Sequence, residues 1–321
     1  MTLKKAIFVK KNEVKTIRVE GTSIHLFREN AEDQVMEPVI ITQAPKTSGE
    51  WTDGRGPFLH EGEELHFILQ GKLIDVYDGR GYLLEEGDYF YFHGMKPHIW
   101  KNPGEEPAKV FIVVAPTLTA RIDYYDHLSP RDREYAYKRM REFGIKPPEE
   151  KPKVKRGKIS KEPVLVRRKD YQRQTVEQVI IDFPTLGVRD QYVELCVVSV
   201  GPKAPLEWTD GRGPFRHDGE EFVYILEGTV KGRIGEEVRV LEAGDYAYWP
   251  GIVPHRFENV GETTAKILIG ESPPISVRPD YYDHLSPGDR EYAYKRMREF
   301  GIKPPEEKPK VKRGRKRTQC R

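Results

Sequence analysis

The sequence predicts an all-β protein of two tandem antiparallel barrels, each followed by one short α-helix and a Pro- and charge-rich extension. Three observations carry this expectation. The chain repeats itself at a fixed offset of 157 residues. Each repeat breaks into short runs rich in β-branched and aromatic residues, separated by Gly, Pro and charged turns. One set of helix-capping signals then follows those runs in each repeat.

The repeat sets the organisation. Shifting the chain by 157 residues superposes Ile7 to Gly157 on Val164 to Gly314 without gaps. That period is far too long for a solenoid, so each copy is expected to be a domain. The expected bounds are 1–118 for the first barrel, 119–163 for its helix and linker, 164–275 for the second barrel, and 276–321 for the second helix and basic tail. Divergence is uneven. "YYDHLSPRDREYAYKRMREFGIKPPEEKPKVKRG" from Tyr124 returns from Tyr281 with Gly288 in place of Arg131, whereas the central β-rich portions differ at most positions. A residue retained in the central portion is therefore informative.

Within copy one the strand-like runs are "EPVIITQAP", "LHFILQGKLIDVY", "GDYFYFHG" and "AKVFIVVAP". The helix is signalled by Ser129 with Asp132 as a capping box, Pro130 at the first helical position and Gly144 at its end. Ala136, Met140 and Phe143 then share a face. The same signals recur at Ser286, Pro287, Asp289 and Gly301.

Bulk properties narrow the function classes. No apolar run approaches the roughly 18 residues of a membrane span. The first residues lack the apolar core of a signal peptide. Cys196 and Cys320 make no disulfide framework. A cytoplasmic protein without membrane contact is expected. The net charge of +3 is too small to imply a nucleic-acid partner. The tail "KPKVKRGRKRTQCR" is dense enough to touch phosphates, but a solvated extension is the favoured reading.

The chemistry sits in the diverged centre. His60 and Glu64 stand four residues apart before a strand, and His98 follows Pro97. His217, Glu221 and His255 repeat them. Polar residues beside a turn are the plain alternative, but all three types survive in both copies. Because alternate strand residues share a face, His66 should accompany Glu64. It could serve as an acid/base, an extra ligand or a core histidine, and copy two has Val223 there. Lys96 and His93 likewise distinguish copy one from Val253 and Pro250 in copy two. Tyr89 and Tyr91 alternate on one strand face, as do Tyr246 and Tyr248. If that face is interior, their phenols could orient substrate or oxygen, and otherwise they fill a wall. Arg55 and Arg212 could clamp a carboxylate or phosphonate, or pair with Asp53 and Asp210.

These two blocks resemble the paired motifs of the cupin superfamily. Glu64 to Gly71 and Glu221 to Gly228 match the end of its first motif. Gly87, His98 and Asn102, with Gly244, Pro250, His255 and Asn259, match its second. The likeness covers roughly residues 20–118 and 177–275. Three departures stand out. Phe58 and Phe215 replace the first histidine, His93 replaces a Pro, and Gly94 and Gly251 lie one residue early.

The resemblance implies double-stranded β-helix (jelly-roll) barrels holding metal through two histidines and one glutamate each. That is the facial set of non-haem Fe(II) oxygenases. Among cupins it is similar to hydroxypropylphosphonate epoxidase, and also to metal-free barrels of many regulators. Fe(II) is the expected cofactor, with Mn, Zn or Ni as substitutes. The expected partners are dioxygen and a small anionic or aromatic oxygenated substrate, with His66, Tyr91 and Lys96 as catalytic candidates and Arg55, Arg212 and Tyr248 as substrate contacts. A homodimer also fits. The residues leave open a Mn or Zn isomerase or lyase, and a non-catalytic binding protein whose tail contacts nucleic acid.

Overall fold

A computed structural model describes residues 5–19, 21–28, 34–49, 60, 62–115, 117, 134, 138, 162–184, 191–206, 219–272, 274 and 291. Its first copy contributes β1 (Ile7–Val9), β2 (Lys15–Val19), β3 (Thr22–Leu26), β4 (Glu37–Gln43), β5 (Glu63–Gln70), β6 (Lys72–Tyr77), β7 (Arg80–Glu85), β8 (Tyr89–His93), β9 (His98–Lys101) and β10 (Ala108–Ala115). The second contributes β11 (Val164–Val166), β12 (Gln172–Val176), β13 (Val179–Phe183), β14 (Glu194–Val200), β15 (Glu220–Glu227), β16 (Thr229–Ile234), β17 (Glu237–Glu242), β18 (Tyr246–Pro250), β19 (His255–Asn259) and β20 (Ala265–Ser272). Every pairing is antiparallel. Glu134, Lys138 and Glu291 are helical and exposed, and the rest of the two expected helices lies outside the described residues.

Each copy forms a seven-stranded sheet and a three-stranded sheet. In the N-terminal barrel these run β11-β8-β5-β10-β4-β3-β2 and β7-β6-β9. In the C-terminal barrel they run β1-β18-β15-β20-β14-β13-β12 and β17-β16-β19. Isolated bridges at Ser48–Lys101 and Pro205–Glu258 tie the segments after β4 and β14 to the small sheets at equivalent places. Gly71 and Gly228, the glycines seven residues after the motif glutamates, sit at the β5–β6 and β15–β16 turns with φ of 77° and 85°. A side chain there would be strained, and would press on the Ala108 or Ala265 backbone.

The first strand of each copy is lent to the other. β1 pairs with β18 of the second copy, and β11 pairs with β8 of the first. A carboxylate latches each exchanged strand. Asp245 accepts Lys10 Nζ at 2.7 Å and the Lys11 N–H at 2.9 Å. Asp88, its counterpart, accepts Arg167 Nη1 at 2.5 Å and the Arg168 N–H at 3.1 Å. The offset alone does not reveal this exchange, because it shows that two segments match and not which sheet each joins.

Both faces of the central strands of the large sheets are buried, which explains why β5 and β15 read as nearly continuous apolar runs. Ile68, Phe90, Phe92, Trp100 and Ile112 belong to the core inside the N-terminal barrel. Val223, Ile225, Trp249 and Phe257 belong to its counterpart in the C-terminal barrel. A third core lies between the barrels and holds Leu65, Phe67, Tyr89, Tyr91, Phe111, Phe222, Tyr224, Tyr246 and Tyr248. There Phe27 stacks on Tyr246 with centroids 4.2 Å apart, and Phe111 on Phe222 at 5.5 Å. Such pairs add about 0.5–1.5 kcal/mol each beyond their area.

Candidate metal centre

β5 and β9 carry the site. Strand alternation sends Glu64 and His66 inward, opposite Phe92 and Phe90 of β8, while Leu65 faces the inter-barrel core beside Tyr91. His60 lies just before β5, and His98 opens β9. One ligand atom from each of His60, Glu64 and His98 falls within 4.8 Å of the others, and all three residues are buried. His60 Nε2 is 2.7 Å from Glu64 Oε2, and His98 Nε2 is 3.3 Å from the same oxygen.

The donor chemistry fits a divalent metal. His98 Nδ1 meets the Lys96 carbonyl at 2.9 Å, which turns Nε2 toward Glu64 as the nitrogen that would bind a metal. Burial works to raise the Glu64 pKa, but hydrogen bonds from His60, His66 and His98 outweigh it and hold the carboxyl well below its usual range. It is therefore an anion in an apolar setting that three imidazoles surround.

Gly94 accounts for one motif departure. Its carbonyl accepts the His60 N–H at 2.9 Å, and its N–H donates to Gly62 O at 3.0 Å. A Cβ on Gly94 would lie 2.1 Å from His60 Cε1. The displaced glycine is where the His60 ring rests.

His66 is not an open base. Its Nε2 meets Glu64 Oε1 at 2.6 Å and its Nδ1 meets Asp75 Oδ2 at 2.8 Å. With a carboxylate on each side, both nitrogens donate. Burial would lower its pKa, but Asp75 and Glu64 override that and raise it to about 10. His66 stands behind Glu64, on the side away from His60 and His98. Asp75 escaped the sequence reading, although a signal existed: the pair His66 and Asp75 becomes Val223 and Gly232 together in copy two. A Cβ on Gly232 would lie 2.6 Å from the Phe257 ring, so that barrel has filled the space with an aromatic.

The tyrosines and Lys96 lie elsewhere. Tyr91 points into the inter-barrel core, where its hydroxyl donates to Glu63. Tyr248 mirrors it, donating to Glu220 while accepting the Met36 N–H at 3.1 Å. The interior face that substrate contact requires is the opposite one. The Lys96 ammonium is partly exposed and donates to Asp78 at 2.7 Å, so this residue serves the site through its carbonyl rather than its amine. Arg55, Arg212 and His217 lie outside the described residues.

The C-terminal barrel repeats part of the centre. His255 Nε2 is 3.0 Å from Glu221 Oε2, and its Nδ1–H donates to Val253 O at 2.9 Å. Its surroundings are less polar. In the N-terminal barrel Gln43 Oε1 accepts Trp100 Nε1 at 3.1 Å and Thr22 Oγ1 at 2.8 Å. Val200, Phe257 and Val179 occupy the equivalent places.

Comparison with known proteins agrees with this architecture. The cupin domain family matches residues 42–114 and 206–270. An uncharacterized protein of Methanocaldococcus jannaschii is 34% identical over 90 residues, which are 28% of this chain and 66% of that protein. The oxalate decarboxylase of Lactobacillus farciminis, solved with formate, superposes with a TM-score of 0.60 at 17% identity, over 91% of this chain and 97% of that one. A putative glyoxylate-induced protein of Pseudomonas aeruginosa gives 0.59 at 14% identity, over 87% and 91%. At such identities the likeness concerns the fold.

Proposed function

Because the chain belongs to the cupin superfamily, as two tandem cupin domains, we propose that its N-terminal barrel is a mononuclear non-haem Fe(II) oxygenase centre acting on a small anionic or aromatic oxygenated substrate. The observation that carries this reading is the convergence of two imidazoles and one carboxylate, all buried, within 4.8 Å. His60, Glu64 and His98 would hold the metal. Fe(II) bound there supplies a redox-active Lewis acid with coordination positions left for substrate and dioxygen.

The remaining roles belong to the chain. A single carboxylate among the three donors leaves a dication only half neutralised, which favours an anionic substrate. The Lys96 carbonyl keeps the His98 proton on Nδ1 and its donor nitrogen turned inward. Phe92, whose ring centroid is 4.9 Å from that of His98, keeps water from the imidazole.

The test is metal content by mass spectrometry after anaerobic reconstitution, followed by dioxygen uptake over a panel of small carboxylates, phosphonates and phenols. Iron near one per N-terminal barrel, lost in Glu64→Ala, with substrate-dependent uptake, is the expected result. Turnover with Mn(II) or Zn(II) and no dioxygen uptake would replace this reading with an isomerase or lyase. Failure to take up any metal would leave a binding protein.

A further inference from the structure

We propose that Asp75 is a positioning residue for the metal centre: through His66 it fixes one oxygen of Glu64, so that Glu64 offers the metal only the other. This rests on the reading of His60, Glu64 and His98 as a metal site. The geometry is a linear chain of three buried side chains, Asp75 Oδ2 to His66 Nδ1 at 2.8 Å and His66 Nε2 to Glu64 Oε1 at 2.6 Å. Relative exposures are 3%, 0% and 4% from Asp75 to Glu64, so water cannot substitute for either bond. The opposite oxygen, Oε2, is the one that faces His60 and His98. The two oxygens of one carboxylate are thus assigned different tasks.

The His66 ring is held from its flanks as well. It meets Phe92 and Trp100 edge-on, with centroids at 5.3 and 5.8 Å. Trp100 is anchored in turn through Nε1 to Gln43. Asp75 comes from β6 of the small sheet and Glu64 from β5 of the large one, so the chain spans the barrel interior. The diverged copies supply an internal comparison. Val223 and Gly232 replace both members of the support at once, and neither can supply such a hold. The two positions differ together between the copies, as the members of one hydrogen-bonded pair should.

The test uses full-length protein carrying Glu221→Ala, which confines binding to the N-terminal barrel, with Co(II) as the probe. Asp75→Ala should weaken Co(II) binding about 10- to 100-fold, the size typical of residues that orient metal ligands. It should also change the visible Co(II) absorption bands, because a released Glu64 can donate both oxygens. Asp75→Asn, similar in shape and keeping an acceptor for His66 Nδ1–H, should fall between Asp75→Ala and the parent. It carries the test by itself if Asp75→Ala loses its circular dichroism signal. Affinity within twofold of the parent and unchanged Co(II) bands in a folded variant would overturn the proposal alone. If the parent binds no Co(II), or Glu64→Ala binds it equally well, the metal reading falls and takes the proposal with it.

Discussion

Glu63 of the N-terminal copy accepts the backbone N–H of Tyr192 from the C-terminal copy at 2.6 Å, and Glu220 accepts the N–H of Val35 at 2.7 Å in the mirror arrangement. Each of these glutamates is the immediate neighbour of a site glutamate, Glu64 or Glu221, and points to the opposite face of its strand. One residue serves the barrel interior and the next clamps the partner copy.

Removing the phenol beside that clamp should therefore affect stability and not metal. Tyr91→Phe takes a donor from the buried Glu63 carboxylate, which costs about 1–3 kcal/mol. Thermal melting should show the loss while metal content stays at the wild-type level. Metal loss at unchanged stability would return Tyr91 to the pocket.

Gly94→Ala should do the reverse. The new methyl must displace the His60 ring, from which it would stand 2.1 Å at Cε1. Metal affinity of the N-terminal barrel should fall at least tenfold, measured by chelator competition, with the fold retained. Unchanged affinity would mean that His60 is not a ligand.

The strand latch predicts a pH dependence. Burial works to raise the Asp245 pKa, but bonds from Lys10 and from the Glu242 and Lys11 N–H groups bring it below the ordinary 3.8. A carboxylate whose pKa is lower folded than unfolded contributes stability in full above the unfolded value, and loses it as pH falls through the folded one. The melting-temperature gap between wild type and Asp245→Asn should be full at pH 7 and shrink below about pH 3.8. With the Lys10 side chain 45% exposed, the ion pair adds about 1 kcal/mol or less. A gap constant to pH 2 would mean that the latch works by shape alone.

Chelation offers a check on the whole site. Prolonged treatment with a strong chelator should lower the melting temperature, since a ligand held only by the folded state stabilises it by mass action. Readdition of Fe(II) should restore the loss in wild type and not in Glu64→Ala.

Much of this was readable in the sequence. His60, Glu64 and His98 survive divergence in both copies, and the motif intervals place them on adjoining strand ends. The faces of Tyr91 and Tyr248 were not readable. With both sides of β8 and β18 buried, apolar character no longer distinguishes inside from outside. Asp75 was hidden for another reason: nothing local marks a lone Asp in "KLIDVY", and its change to Gly232 gains meaning once its contact across the barrel with His66 is seen. The place of Lys96 was not readable either, because its ammonium pairs with Asp78 and the atom that meets His98 is a backbone carbonyl, which every residue type carries.

The reciprocal loan of β1 and β11 has a genetic consequence. In a dimer of identical chains that trade strands, every substitution falls on both members and each must tolerate it. Joined in one chain, the copies meet at a local concentration fixed by their connection rather than by expression level. They are also free to become unequal. Val223 and Gly232 illustrate that freedom: one copy has an apolar pair of positions where the other has an ionic pair, and the shared strands hold both in a single molecule.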